Sequence, residues 1–263
     1  MLTCLIISMR QFDALLACNR SSLILLALLG AEINRIDGKL TFPRNHTQSC
    51  KSMLWTTCLA GQPTRYVEML EAALQSAFSN APSVLPLVIV DPSFVNETRV
   101  QKLFDNIRYR GGILAVHELT FVDDFDVNSH QYTVRGTYMR LEIGLVIEDL
   151  VKQGKLDPSK VDVEYVLYAD TDVLFLQDIN SCSLHNPSIA LIGPEFIRGQ
   201  LGDQANAGVI YINVTAWNRH HSAIIEHGRS GKWEHVALDQ GLIKSYYRNL
   251  NLEALPDGFN WKG

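Results

Sequence analysis

The sequence has no run of basic residues and no stretch in which aromatic and basic residues alternate. Its formal net charge is −5 and its isoelectric point is near 5.9. Proteins that bind nucleic acids need a positive surface opposite the phosphates. The composition therefore argues against a nucleic-acid partner. Internal repeats and low-complexity linkers are absent as well, which excludes a repeat architecture.

Cysteine is scarce and shows no pattern that indicates a metal or redox motif. There is no CxxC pair and no spacing typical of a zinc site. We interpret the cysteines mostly as core residues or free thiols, although one disulfide is compatible with their number. The five positions are Cys4, Cys18, Cys50, Cys58 and Cys182.

Long hydrophobic runs are missing too. The most apolar patch of the first fifty residues, Leu23 to Ala31, has nine residues. That length is too short to span a bilayer but suits the core of a signal peptide. We therefore predict that residues 1–50 are an extension, either a signal or anchor segment that associates with a membrane through residues 1–31, or a buried segment. Four N-x-S/T sequons (Asn19, Asn45, Asn96 and Asn213) permit a location in the secretory pathway or Golgi lumen; the cytoplasm is the alternative.

What is present, from Lys51 onward, is an alternation of short apolar runs and amphipathic segments. The chain is 47% hydrophobic and 19% charged over 263 residues, enough to bury a full core in one large domain with an extension. Apolar runs such as "LPLVIVD" predict buried strands, and spacings such as that from Tyr138 to Leu150 predict helices. The succession predicts an α/β fold with a mainly parallel sheet and helices on both faces.

Two carboxylates, Asp170 and Asp172, follow the most apolar of these strands in "VEYVLYADTDVLF". Ligands of α/β proteins bind at the carboxyl ends of strands, so this is a position where function is usually built. Two close carboxylates repel each other unless a cation lies between them. Oxygen ligands of this kind suit Mn²⁺ or Mg²⁺. The pair therefore predicts a metal site, and a solvated acidic turn is the alternative.

Further stretches occur in a recognisable order around these aspartates. They are "GTYMRLEI" with Tyr138 and Arg140, "YADTDVLF", "NAGV" before a strand, "LDQ" at a helix start, and "FNW" near the end of the sequence. Residues 51–263 in this combination resemble glycosyltransferase family 8, the group of glycogenin and the bacterial lipopolysaccharide galactosyltransferases. The resemblance implies a single GT-A domain, a nucleotide-sugar donor, usually a UDP-sugar such as UDP-glucose or UDP-galactose, a carbohydrate acceptor, a divalent metal, and hexose transfer with retention of configuration.

The resemblance also implies roles for individual residues. Asp170 and Asp172 would hold the metal against the donor diphosphate, with Asp170 in reach of the ribose. Arg140 would contact diphosphate or donor oxygens; a surface arginine is the alternative.

For the sugar, the resemblance implies that Asn206 binds the donor or acceptor, while Gly208 permits close backbone approach. Asp239 would bind sugar hydroxyls and Gln240 would face the anomeric carbon. A turn residue is the alternative for Asn206, and helix capping is the alternative for Asp239 and Gln240.

Two positions after the first strand, Tyr66 and Thr57, fall where the family holds the uracil ring. The loop "CLAGQPTR" looks long for that task.

One family element has no counterpart in the sequence. Family members usually supply a third metal ligand from a histidine in an H-x-x-G-x-x-K-P-W segment beyond FNW, and no histidine of this chain follows Asn260. We therefore expect a C-terminally truncated or weakened transferase. A catalytically silent nucleotide-sugar-binding module and, less favoured, a phosphatase-like hydrolase that phosphorylates the first aspartate of the D-x-D are the alternative functions.

Overall fold

The strands predicted from the sequence form one seven-stranded sheet in the computed structural model. The model describes residues 6–8, 50–60, 64–119, 121, 132–197, 200–233, 239–248, 250, 252–256 and 259. The strands are β1 (Ile6–Ser8), β2 (Ser52–Leu59), β3 (Val84–Val90), β4 (Ile113–Val116), β5 (Val161–Ala169), β6 (Val173–Phe175), β7 (Ala190–Ile197), β8 (Gln200–Asn213) and β9 (Glu253–Ala254). The α-helices are α1 (Thr64–Asn80), α2 (Thr98–Tyr109), α3 (Tyr132–Tyr138), α4 (Ile143–Lys152), α5 (Val214–Arg229) and α6 (Asp239–Tyr247).

The sheet has the order β4-β3-β2-β5-β8-β7-β9. Strands β4, β3, β2 and β5 are mutually parallel, and β7 pairs in parallel with β9. Only β8 among these strands runs the other way, because it pairs antiparallel with both β5 and β7. The prediction of a mainly parallel sheet is confirmed. The reversal of β8 follows from chain length, since two residues between β7 and β8 allow a hairpin but not a crossover.

Both faces of the sheet are covered, which explains why its central strands are apolar on both sides. Strand β2 shows the alternation: Leu54 packs in the hydrophobic cluster that contains residues of α4 and α5, and Trp55 packs in the cluster that contains residues of α1 and α2. Strand β5 lies between β2 and β8, and its last four residues are buried. The chain therefore leaves the buried interior directly before Asp170.

The segment from Tyr138 to Leu150, predicted as one helix, is interrupted. A 3₁₀ turn at Met139–Glu142 separates α3 from α4, and all four of its residues are buried. Glu142 accepts a hydrogen bond from His117 and lies 3.4 Å from His221 Nε2. These contacts hold the pKa of Glu142 below its ordinary value, although burial alone would raise it. The tighter turn brings Arg140 and Glu142 inside together, where carboxylates lie beside Arg140 and histidine side chains lie beside Glu142.

The cysteine interpretation is only partly right. Cys58 is a buried free thiol, as expected. Cys50 and Cys182, in contrast, form a disulfide that joins the segment just before β2 to the segment after β6, with 5.6 Å between their Cα atoms. Cys4 and Cys18 lie outside the described residues.

The N-terminal extension contributes one described element. Strand β1 pairs antiparallel with β6, so Ile6 lies opposite Phe175 and Ser8 opposite Val173. These two strands form a small second sheet, which the sequence did not predict. The proposed division at residue 50 stays a prediction. Across the residues that the structure describes, no helix has both the length and the apolar character needed to cross a membrane.

The disulfide generates a prediction about stability. Replacing Cys182 with serine should lower the free energy of unfolding by about 2–4 kcal/mol, because the crosslink restricts the unfolded chain over a separation of 132 residues. Urea denaturation with and without reductant measures the effect. Reductant should destabilise the parent protein and leave Cys182→Ser unchanged; a parent protein that is indifferent to reductant would contradict the prediction.

Candidate functional site

A pocket of about 420 Å³ lies at the carboxyl end of β5, where the sequence places its two aspartates. Strand β2 and helix α1 form one wall. Helix α3, the 3₁₀ turn after it and the end of β5 form the other. The pocket is lined by Cys58, Leu59, Ala60, Arg65, Tyr66, Met69, Gly136, Thr137, Arg140, Tyr168, Asp170, Thr171 and Asp172. Four of the predicted site residues, Tyr66, Arg140, Asp170 and Asp172, therefore share one cavity.

Arg140 is the cation at the base of the site, and only 4% of it is exposed. One guanidinium nitrogen lies 3.2 Å from Asp170 Oδ1, and Nε lies 2.7 Å from Asp239 Oδ2. The Nε hydrogen donates to the Thr137 carbonyl, and another nitrogen donates to the Ala207 carbonyl. Burial alone would lower the pKa of Arg140, but the two carboxylates raise it above its ordinary value. The alternative of a surface arginine is therefore excluded.

Asp170 is held by three separate parts of the chain. Its Oδ1 accepts hydrogen bonds from Arg140 and from the Tyr168 hydroxyl. Its backbone N–H donates to the Gly208 carbonyl over 2.9 Å. The Arg140 guanidinium also lies over the Tyr168 ring, 4.6 Å from its centroid. The carboxylate therefore has a fixed position at the pocket wall before any ligand binds.

Asp239 lies behind Arg140, at the first described residue of α6, and is 2% exposed. It is not among the pocket-lining residues. Burial raises its pKa to about 7, and Asp170 acts in the same direction, against the opposing effect of Arg140. This carboxyl group therefore titrates near neutral pH.

The "NAGV" stretch brings Asn206, Gly208 and Gln240 together beside Asp170. Asn206 Oδ1 accepts from the Gly208 N–H (2.8 Å), and Gln240 Oε1 accepts from the Ala207 N–H (3.2 Å). A Cβ atom on Gly208 would lie 2.8 Å from Asn206 Oδ1 and 3.1 Å from Asp170 Oδ2. Glycine is thus required by the close approach of these groups. The three residues lie beside the pocket rather than in its lining.

Asp172 lines the pocket and is half-buried. In the described part of the chain, the hydrogen bonds to the Asp170 carboxylate all reach Oδ1, which leaves Oδ2 without a protein donor. Two carboxylates at a pocket fit a hard divalent ion that takes its other ligands from water and phosphate. No group of three or more histidine, cysteine or acidic side chains that could hold a metal occurs among the residues described. The metal site stays a prediction based on two carboxylates.

The two residues predicted to contact uracil lie in different environments. Tyr66, on α1, lines the pocket and is partly buried. Thr57 lies inside β2 rather than after it, is 1% exposed, and is not part of the pocket lining. The expectation that Thr57 follows the first strand is therefore wrong, and its contact with uracil stays a prediction.

Sequence reasoning missed Tyr168 and Thr137 as site residues. Tyr168 was assigned to the buried strand, although residues two apart in a strand share a face, so Tyr168 could be expected beside Asp170. Thr137 lines the pocket, hydrogen-bonds to Asp239, and supplies a carbonyl to Arg140. No signal in the sequence identified it, because its role depends on the tertiary positions of Arg140 and Asp239.

Comparison with known proteins gives a consistent result for the fold. No protein-family model matches the chain, and no curated protein matches its sequence. Solved structures do match. The apo-form glycosyltransferase GlyE of Streptococcus pneumoniae TIGR4 has a TM-score of 0.51 and 17% identity, with coverage of 80% of this chain and 46% of that one. The apo structure of the bifunctional glycosyltransferase WbbM has a TM-score of 0.50 and 14% identity, with coverage of 81% and 40%.

These likenesses establish the fold class. The chain has the GT-A type of α/β fold found in glycosyltransferases, as the sequence predicted. It spans less than half the length of these solved structures. At such identities the likeness concerns the fold and leaves chemistry to the site itself.

The position of Arg140 between two carboxylates predicts a large effect of its removal. Arg140→Met should lower the free energy of unfolding by about 3–5 kcal/mol, because Asp170 and Asp239 would lose their buried counter-charge. Arg108→Met, at a largely exposed arginine of α2, is the matched control and should change it by less than about 0.5 kcal/mol. Urea denaturation at pH 8 measures both variants; equal effects would contradict the assignment.

The raised pKa of Asp239 predicts a pH dependence of stability. From about pH 4 to pH 7, folded Asp239 holds a proton that the unfolded chain releases. The free energy of unfolding should therefore fall as pH rises through this window, by up to about 1.4 kcal/mol per pH unit from this group.

Asp239→Asn should remove that contribution and so flatten the profile, whereas Asp105→Asn, at an exposed position, should not. Denaturation from pH 4 to pH 8 provides the comparison. A constant stability difference between Asp239→Asn and the parent across this range would show that Asp239 does not titrate there.

Proposed function

We propose that the protein is a retaining glycosyltransferase that moves a hexose from a nucleotide sugar, most simply a UDP-sugar, to an acceptor hydroxyl with the help of Mn²⁺ or Mg²⁺. Membership of glycosyltransferase family 8 is part of the proposal. Its support is the order of the sequence motifs, since no family model matches the chain. The acceptor in this proposal is a carbohydrate or glycoconjugate.

The observation that carries the proposal is the Arg140 cluster at the pocket. A glycosyltransferase fold here places one buried guanidinium between Asp170 and Asp239, with Asp172 on the same pocket wall. Arg65 lines the same pocket, so three carboxylates and two guanidiniums give a net charge of −1 when all are ionised (three negative charges and two positive). Two carboxylates close together at the pocket favour a diphosphate that arrives with a divalent cation over a bare one.

The residues of the site can then be given roles. Asp170 and Asp172 would hold the ion, which when bound would offset the negative charge that develops on the leaving diphosphate. Arg140 fixes Asp170 and contributes positive charge at the base of the pocket. Tyr66 and Arg65 lie on the α1 wall, where they can contact the nucleoside part of the donor.

In the transfer itself, the bond from the anomeric carbon to the diphosphate oxygen breaks, and a bond from that carbon to the acceptor oxygen forms. The acceptor proton passes to the departing phosphate oxygen. Retention follows when the acceptor attacks the face from which the diphosphate leaves. This chain would contribute orientation and charge stabilisation to that step, without a covalent intermediate.

The surroundings of Asp239 and Gln240 support this front-face mechanism. Asp239 is 2% exposed and lies against Arg140, which disfavours a role as nucleophile. Gln240 is an amide, a poor nucleophile, and its Oε1 is bound to the Ala207 N–H. Its amide nitrogen makes no hydrogen bond to the described residues, so it can donate to a sugar. Asp239 then serves to hold Arg140 and orient neighbouring groups.

The phosphatase-like alternative receives no support from the site. That chemistry needs a lysine beside the phosphorylated aspartate, and among the described residues no lysine forms an ion pair with Asp170. The cation there is Arg140. A catalytically silent nucleotide-sugar-binding module would have the same site geometry as a transferase. Turnover of the donor distinguishes the transferase from the silent module.

A donor assay tests the proposed function. The chain with Mn²⁺ is incubated with UDP-glucose or UDP-galactose, with and without a panel of saccharide acceptors, and UDP release and products are followed by NMR. We expect UDP release that depends on the metal and a product with the donor's anomeric configuration. An inverted product would contradict retention, and a bound donor that is never consumed would identify a silent module.

The D-x-D carboxylates generate a separate prediction for binding. Asp172→Asn should abolish Mn²⁺-dependent UDP binding and leave the fold intact or slightly more stable, because the repulsion between Asp170 and Asp172 is relieved. Asp149→Asn, at an exposed residue of α4, is the matched control and should bind like the parent. Calorimetric titration of UDP with and without Mn²⁺ measures the effect. Unchanged Mn²⁺-dependent affinity in Asp172→Asn would overturn the metal assignment.

A further inference from the structure

Two of the four sequons lie in the described structure, and their environments differ. Asn96 lies in the turn between the 3₁₀ segment Pro92–Phe94 and helix α2, Thr98 is the first residue of α2, and both are exposed. The Asn96 side chain makes no hydrogen bond to any described residue. The turn supplies no residue to the pocket at β5. A bulky group attached to Asn96 would therefore displace no packing and leave the pocket open.

Asn213 is the opposite case. It is the N-cap of α5, and its Oδ1 accepts from the Ala216 N–H over 3.1 Å. Its Nδ2 donates to the Pro187 carbonyl, and its backbone N–H donates to the Ile189 carbonyl. A group attached to Nδ2 would lie against the segment before β7, next to a helix cap. A modification at Asn96 therefore disturbs no hydrogen bond of the described residues, whereas one at Asn213, which lines a surface pocket of about 350 Å³, would disturb the contact of its Nδ2 with the Pro187 carbonyl.

An independent observation concerns the redox environment. Ser52 and Asn180 form an antiparallel bridge, and Lys51 and Ser181 exchange hydrogen bonds, so the register places Cys50 directly opposite Cys182. Their Cα separation of 5.6 Å lies within the range of natural disulfides. Such bonds persist in oxidising compartments and are rare in a reducing cytosol. The backbone pairing thus places the two cysteines at a separation that suits a structural disulfide.

From these observations we infer that Asn96 is an N-glycosylation site and that the chain matures in an oxidising lumen, with Cys50 and Cys182 crosslinked and Asn213 unmodified. The two features belong together because the same compartment supplies both reactions. This inference does not depend on the proposed glycosyltransferase activity.

Both modification steps balance with reagents of such a compartment. For the glycan, the bond between the sugar anomeric carbon and a lipid pyrophosphate breaks as a bond to Asn96 Nδ2 forms; the lipid pyrophosphate leaves and an amide proton passes to a base. For the disulfide, the two thiols lose two protons and two electrons. A thiol oxidoreductase in its disulfide form accepts the electrons and is reduced to a dithiol.

The test is peptide mass spectrometry of the 263-residue chain purified from eukaryotic cells, once with its own N-terminus and once behind an added cleavable secretion signal. Site occupancy is read after enzymatic deglycosylation in heavy-oxygen water, and crosslinks are read without reductant. Thr98→Ala and Thr215→Ala each remove one sequon without changing its asparagine, and both threonines are exposed. They form a matched pair.

We expect a glycan at Asn96 that is lost in Thr98→Ala and kept in Thr215→Ala, together with a Cys50–Cys182 crosslink. A bare Asn96 in chain that has entered the lumen, or a glycan on Asn213 in folded protein, would overturn the site assignment. Free thiols at Cys50 and Cys182 in secreted chain would overturn the disulfide. If the chain enters the lumen only behind the added signal, the inference that this chain matures there by itself is overturned.

Discussion

A guanidinium buried as deeply as that of Arg140 needs negative partners, and the site is built around this requirement. Asp170 and Asp239 supply the charge, and the Thr137 and Ala207 carbonyls accept two further N–H groups. These partners come from helix α3, the end of β5, strand β8 and helix α6. Satisfying one cation therefore fixes four separate parts of the chain at one edge of the sheet.

This arrangement explains why the site can hold groups that would otherwise repel each other. Asp170 and Asp239 each lie beside Arg140, and the Tyr168 hydroxyl also donates to Asp170. Asp172 lines the same pocket, so a second carboxylate lies at the proposed position of a metal and a diphosphate. The preformed cluster places charge before the ligand arrives, which is how electrostatic stabilisation of a leaving group is usually achieved.

Much of the architecture could be predicted from local pattern. The apolar run of β5 and the carboxylates after it gave the position of the site, because parallel strands end at one edge of a sheet. The interrupted helix at Met139–Glu142 could not be predicted, since the partners of Arg140 and Glu142 come from distant parts of the sequence. Thr57 was expected after the first strand, whereas the structure extends β2 to Leu59 and so places Thr57 inside it.

The disulfide and the role of Tyr168 are features that reasoning from a single sequence does not predict. Cys50 and Cys182 are 132 residues apart, and only the register between their segments brings them together. Tyr168 reads as a core aromatic until its hydroxyl is seen to reach Asp170. Both depend on long-range pairing that periodicity does not encode.

The central claim is that Asp170 and Asp172 receive a metal–diphosphate at the pocket beside Arg140. Crystals grown with UDP and Mn²⁺ test it directly, because anomalous scattering locates manganese independently of the protein model. The account predicts one anomalous peak between the Asp170 and Asp172 carboxylates and the UDP phosphates, with Arg140 still paired to Asp170. A peak remote from these carboxylates, or UDP bound outside this pocket, would contradict it.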